Sequence, residues 1–251
     1  MPDGGDWRLR PTGDTAMSEH TYKQFDAEIE TIRSGVLSMG GVVETQLSRA
    51  IAVLDDDEGH DTVDHVGADE KVINQMQVSL DQLCSQIIAR RQPAAIDLRF
   101  ILMITKIVNE LERVGDEAKK IAYKASQLHG ADGLSRVRHY DVIHALERAR
   151  ELLQMALDTF ARLDAAAAAE VIDADEEIDA AFLAIMRQLI SYMMEDPRTI
   201  TAALEIVFIA KSIERVGDHA KNIAEAVVQV VKGIDVRHAT AEQIRAEVAS
   251  E

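Results

Sequence analysis

The sequence predicts an all-α protein built by duplication, and three observations carry the prediction. The pentapeptide Glu-Arg-Val-Gly-Asp occurs twice, at 112–116 and at 214–218. Apolar residues recur at steps of three and four along a series of long stretches. The apolar share is 47%, yet aromatics make up only 4% and prolines number 4, so Ala, Val, Ile, Leu and Met must fill the interior. That mixture suits helix-on-helix packing better than sheets, which favour aromatic and β-branched residues.

The elements follow in order. Residues 1–20 are rich in Pro, Gly and Asp and read as a disordered extension. The pattern begins just after Met17, which makes that residue a candidate start. Phe25, Ile29, Ile32, Val36, Met39, Val43, Leu47, Ile51 and Leu54 define a first helix, broken by the polar run Asp55 to Asp64. A second helix is expected over 68–91 on a stripe of Ile73, Met76, Leu80, Leu83 and Ile87, and Pro93 ends it. A third, over 95–128, stops near Gly130 and Gly133. The cycle then repeats over 139–163, 168–195 and 199–231, with Pro197 in the place of Pro93 and Gly233 after the last helix. This divides the chain into one three-helix unit at 21–130 and another at 131–235, each of about 100 residues, an ordinary size for one core. Residues 236–251 read as a flexible tail, with a short, loosely held helix from Ala239 onward.

The duplication rests on residues as well as on helix counting. Positions 110–121 read ELERVGDEAKKI and positions 212–223 read SIERVGDHAKNI, eight matches in twelve at an offset of 102. Within each copy, Glu112 and Asp116, or Glu214 and Asp218, lie one above the other on a helix face. They fall beside the apolar stripe that holds Gly115 and Gly217. Glycine inside a helix costs about 1 kcal/mol relative to Ala, so its place on the packing face predicts a close helix neighbour. One helix earlier, Glu70 precedes Asn74 and Asp175 precedes Asp179 by four residues. The short link at Pro93 makes those helices antiparallel neighbours, so each half can bring two acidic pairs toward one patch. Converging carboxylates repel one another unless a proton or cation sits between them. Hard oxygen donors suit Mg, Ca, Mn or iron, and zinc accepts them too. Solvated acids paired with Arg113 or Arg215 are the plainer alternative.

Charge and composition exclude other classes. Lys plus Arg is 27 against 44 Asp plus Glu, a formal charge of -17, which repels nucleic-acid phosphates and anionic lipid. Plain solubility accounts for the same total. One cysteine, Cys84, leaves no disulfide within the chain and fits a reducing cytoplasm. No run approaches the ~20 apolar residues of a membrane span. There is no Gly-rich phosphate loop, no Cys-x-x-Cys and no Glu-x-x-His, so nothing nominates a nucleophile or a ferritin-like di-iron site. His219, whose repeat mate is Glu117, reads as a surface residue.

Five segments together resemble the PhoU family of bacterial phosphate-transport accessory proteins. They are Ser38-Met-Gly-Gly-Val42, Ile87-Ile-Ala-Arg-Arg-Gln-Pro93, Glu110 to Ile121, Arg187-Gln-Leu-Ile-Ser-Tyr-Met-Met-Glu-Asp196, and Lys211 to Ala224. The resemblance implies two pseudo-symmetric three-helix bundles with spectrin-repeat-like packing. It implies a divalent or trivalent metal, multinuclear iron or zinc, on Glu70, Asn74, Glu112 and Asp116 in the first half and Asp175, Asp179, Glu214 and Asp218 in the second. Asn74 stands where the pattern wants Asp. With Lys120 one turn beyond Asp116, where the second copy has Asn222, tighter metal binding is expected in the second half. The implied function is negative control of phosphate-starvation genes from the cytoplasm, coupling the ATPase subunit of a phosphate transporter to a sensor histidine kinase. A homodimer without enzymatic activity is implied, with no nucleic acid and no membrane insertion. A metal-free helical scaffold and a carboxylate-bridged metalloenzyme are the competing readings.

Overall fold

Ile29, Ile32, Val36, Met39, Val43 and Leu47 stand on one stripe and are all buried, and the helix that carries them, α1 (Ala16–Asp55), runs for 40 residues. A computed structural model describes residues 16–55, 60–128, 139–234, 236, 243–245 and 247, and their side chains except at 16–22, 60, 61 and 139. α1 begins before its buried stripe, so residues 16–20 of the expected extension are helical; residues 1–15 lie outside the described residues. Ala, Met and Glu there propagate a helix well without packing.

α2 (His60–Arg91) also starts earlier than its stripe suggests. Val63 and Val66 continue the buried face of Ile73 toward the N-terminus beneath the polar residues that read as a break. Leu83, expected inside, is exposed, and Cys84 takes the buried position. Gln92, in the left-handed region at φ 45, turns the chain at Pro93 into α3 (Ala95–Leu128). The stop expected at Gly130 and Gly133 lies outside the described residues.

α4 (His139–Arg162) is joined to α5 (Ala165–Glu195) through Leu163 at φ 51 and Asp164, whose carboxylate accepts the Ala167 N–H at 3.0 Å. Asp196 caps the single turn Pro197–Thr199 that opens α6 (Ile200–Lys232). Gly233, at φ 74, closes α6 by donating to the Gln229 carbonyl at 3.0 Å.

α1, α2 and α3 pack against one another, as do α4, α5 and α6, and the halves join through α3 on α6 and α1 on α4. The α3–α6 seam is antiparallel: Glu110 meets Asn222, Glu117 meets Arg215 and Lys124 meets Glu205. Residues 243–245 and 247 of the tail are helical. Val236 and Ile244 are buried, and Arg245 pairs with Asp173 of α5 at 3.1 Å.

Candidate metal centres

The two motif glycines set each acidic cluster. A Cβ on Gly115 would lie 3.1 Å from the Ile73 Cδ1, and one on Gly217 would lie 3.3 Å from the Ile178 Cγ2. Ile73 and Ile178 are thus equivalent contacts of α2 on α3 and of α5 on α6. Glu70 and Asp175 each precede that isoleucine by three residues, so both sit one turn away on the helix face turned to the motif.

In the second half the four carboxylates act on one another. Asp175 is 1% exposed, and a Cβ on Gly217 would come within 2.8 Å of its Oδ1. Its Oδ2 accepts from Lys221 Nζ at 3.0 Å. Burial pushes the Asp175 carboxyl up; Lys221 opposes this, while Asp179 and Glu214 add to it. Asp218 is raised by burial first, then by Glu214, Asp175 and Asp179. Lys211 Nζ donates to Glu214 Oε1 at 2.7 Å and lies 2.6 Å from its Oε2, so the ammonium faces both carboxylate oxygens. Asp179 and Asp218 form the exposed edge of the cluster.

The first half repeats the plan with fewer charges. The Glu112 carboxyl is raised by burial, then by Asp116 and, more weakly, by Glu70, while Arg113 and His219 pull it down. Glu70 Oε2 lies 2.5 Å from Lys119 Nζ. Asn74 lies on the exposed face of α2. Above Gly115 the nearest oxygen is Gln46 Oε1 from α1, buried without a partner, where Gly217 has Asp175 Oδ1.

Two expectations are corrected. Lys119, not Lys120, reaches the first cluster. One residue is a step of 100° around the helix, and it turns Lys120 into the seam, where it pairs with Glu117 at 3.0 Å. Arg215 also serves that seam, meeting Glu117 at 3.0 Å. His219 is not a surface residue: its side chain is 12% exposed, with Nδ1 2.7 Å from Glu110 Oε2. Burial raises the Glu110 carboxyl, but hydrogen bonds from His219 and Asn222 outweigh it and hold it low. The lysine shared by both repeats, Lys119 and Lys221, was visible in the motif alignment but has no role that spacing alone assigns.

The donors fit a hard cation in kind. They are carboxylate oxygens beside a glycine whose Cβ would crowd the cluster. As they stand, among the described residues, no three His, Cys, Asp or Glu side chains form a ready ion site. Lysine ammonium groups lie against Glu70, Asp175 and Glu214 instead. Cys84 offers no nucleophile, since burial pushes its thiol up to about 11.

Fold and sites together define a duplicated helical-bundle protein with one acidic cluster per repeat. A family model described as PhoU domain matches twice, at residues 36–125 and 142–227. The phosphate-specific transport system accessory protein PhoU homolog of Pseudomonas aeruginosa is 44% identical over 234 residues, covering 93% of this chain and 96% of that protein. The accessory protein PhoU of Escherichia coli is 40% identical over 232 residues, 91% of this chain and 93% of that one. A crystal structure of PhoU from Pseudomonas aeruginosa superimposes with a TM-score of 0.80, covering 84% of this chain and all of that one. The phosphate transport system regulatory protein PhoU from Streptococcus pneumoniae, 25% identical, gives 0.77. The chain belongs to the PhoU family.

Proposed function

We propose that the chain is a regulatory accessory of phosphate transport that acts through its surface. The observation that carries the reading is the double family match, at 36–125 and 142–227, which takes in both acidic clusters. In this reading it docks in the cytoplasm on the ATPase subunit of a phosphate transporter and on a sensor histidine kinase. That contact keeps phosphate-starvation genes off while phosphate is plentiful, and the chain works as a homodimer. Two features of the chain support a docking role. No described helix is long and apolar enough to cross a membrane. The charge of -17 favours a basic partner surface.

Each cluster in this reading holds iron or zinc: Asp175, Asp179, Glu214 and Asp218 in one half, Glu70, Asn74, Glu112 and Asp116 in the other. A bound cation would supply charge neutralisation and a cross-link between α5 and α6, or between α2 and α3. The chain's own residues set the geometry: Gly217 admits the Asp175 carboxylate, and Ile178 fixes the height of α5 on α6.

The test is deletion of the gene, with a phosphate-starvation reporter read in high phosphate. Derepression that the wild-type gene reverses is expected; continued repression would overturn the regulatory reading. One observation favours a metal-free scaffold as the second reading, namely the three lysines that already pair with Glu70, Asp175 and Glu214. Protein purified without chelator and found free of bound metal is the outcome that reading requires.

A further inference from the structure

α5 carries no acid between Asp179 and Glu195, and Arg187 is its one charge over that stretch. Leu183, Ile190 and Met194 share a stripe with Arg187 at steps of three and four, and all three are exposed, Met194 by 80%. On α6, Ile200, Leu204 and Phe208 follow at steps of four and are exposed too. The two stripes run side by side from the turn at Pro197 to Lys211, whose Nζ lies 5.5 Å from the centroid of the Phe182 ring. Six large apolar side chains open to water on two adjacent helices mark a contact surface.

The first half shows that the bundle does not need all of them. In the register that matches buried Leu80 and Cys84 to buried Ile185 and Leu189, Ser85 and Ala89 stand for Ile190 and Met194. In the register of the repeated motif, Lys106 stands for Phe208. Val78, Leu98 and Leu102 fill the other three places, so half of the face is an addition of the second half.

We propose that this α5–α6 face pairs with the same face of a second copy across a two-fold axis, with α5 antiparallel to α5 about Ile190. This rests on the homodimer reading above and assigns its surface. Charge selects the occupant. Two chains of charge -17 repel each other wherever their acids meet, and this face lets them approach without that repulsion. Its bordering acids Asp196 and Glu205 are already paired with Arg198 and Lys124. The rim is also complementary to itself. Arg187 and Glu195 lie eight residues apart, one on each side of Ile190 along α5, and neither is paired with another described residue. An antiparallel contact brings Arg187 of one copy to Glu195 of the other, and does so twice, as a two-fold interface requires. Leu204 lies level with Ile190 in the register set by Ile178 against Gly217 and by Phe182 under Lys211, so it falls at the axis as well.

Sedimentation velocity of the full chain over a concentration series tests this, with helicity followed by circular dichroism. Wild type should be a dimer. Met194→Glu and Leu204→Glu put a charge at the centre of the contact and should each weaken it by about thirtyfold or more, with helicity unchanged because both residues are exposed. Leu102→Glu, at the place of Leu204 in the first half, should dimerise as wild type does. Arg187→Glu sets like charges together twice and should weaken the dimer by about tenfold, and adding Glu195→Arg should restore it. A wild-type dimer that Met194→Glu and Leu204→Glu leave intact would overturn this interface and spare the homodimer reading. Dissociation by Leu102→Glu to the same degree, or no recovery in the double variant, would overturn the arrangement as well. A wild-type monomer at every concentration would overturn the interface and the homodimer reading together.

Discussion

The two acidic clusters are copies in plan but not in composition, and their differences compensate. Asp179 in the second half stands where the first has Asn74, one negative charge more. Lys211, on Glu214, stands where the first half has Asn109, one positive charge more. Four carboxylates face two ammonium groups in the second cluster, and three face one in the first, so each keeps two formal negative charges. The charge deficit that Asn74 suggests is therefore absent once the lysines are placed. What separates the halves is the depth of one acid, since Asp175 is 1% exposed where Glu70 is half-buried. Asp175 and Asp218 are both raised by burial and by their carboxylate neighbours, whereas in the first cluster Glu112 is so raised. Duplication has held the charge balance and let the depth of the acids drift.

The largest expected effect is on metal. We infer that a cation is held more tightly in the second half, because it would relieve repulsion among four carboxylates there, one of them, Asp175, fully buried. In zinc titrations Asp218→Ala should lose more bound metal than Asp116→Ala. Equal losses would erase the distinction between the halves, and a larger loss in Asp116→Ala would reverse it.

The helices and the duplication were legible in the sequence because periodicity and internal repetition are local signals. The register of the third helix, 95–128, came out as read. What periodicity cannot say is which buried face meets which helix. The α3–α6 seam is of this kind: Glu110 and Glu117 look like surface acids by type, yet are buried against His219, Asn222 and Arg215. The lysines failed for a related reason. Lys119 and Lys120 are neighbours in sequence, and only the orientation of α2 shows that the first of them serves the cluster. Val66 and Ile244, single apolar residues in polar surroundings, gave too weak a period to mark the start of α2 or the docking of the tail.

The motif glycines offer a smaller but sharper contrast. Ala in place of Gly gains about 1 kcal/mol of helix propensity at either position. At Gly115 the added Cβ would meet Gln46 Oε1 and Ile73 Cδ1, both at 3.1 Å, ends of side chains that can shift by a few tenths of an ångström. At Gly217 it would meet Asp175 Oδ1 at 2.8 Å, on a short side chain that Lys221 holds in place. Gly115→Ala should be near neutral in urea unfolding, whereas Gly217→Ala should lose about 1–2 kcal/mol, the range for overpacking a filled site. Equal losses would mean that Asp175 is no more constrained than Gln46.

The smallest effect is one of pH, and its sign follows from the raised carboxyls. A folded pKa above the unfolded one means that the native state holds the proton more tightly, so ionisation weakens the fold. That weakening is complete above the folded pKa and absent below the unfolded one. Asp218→Asn removes it, so without metal the variant should be more stable than wild type at pH 7. The gain should stay under about 1 kcal/mol because Asp218 is exposed and screened by solvent. It should shrink as pH falls toward ~4, where the unfolded carboxylate also takes its proton. Glu112→Gln should behave alike with a smaller gain, since Asp116 and Glu70 raise Glu112 while Arg113 and His219 oppose them. Urea unfolding of both variants between pH 7 and pH 4 measures the two gains. A larger gain for Glu112→Gln would place the stronger repulsion in the first half and remove the ground for expecting metal in the second.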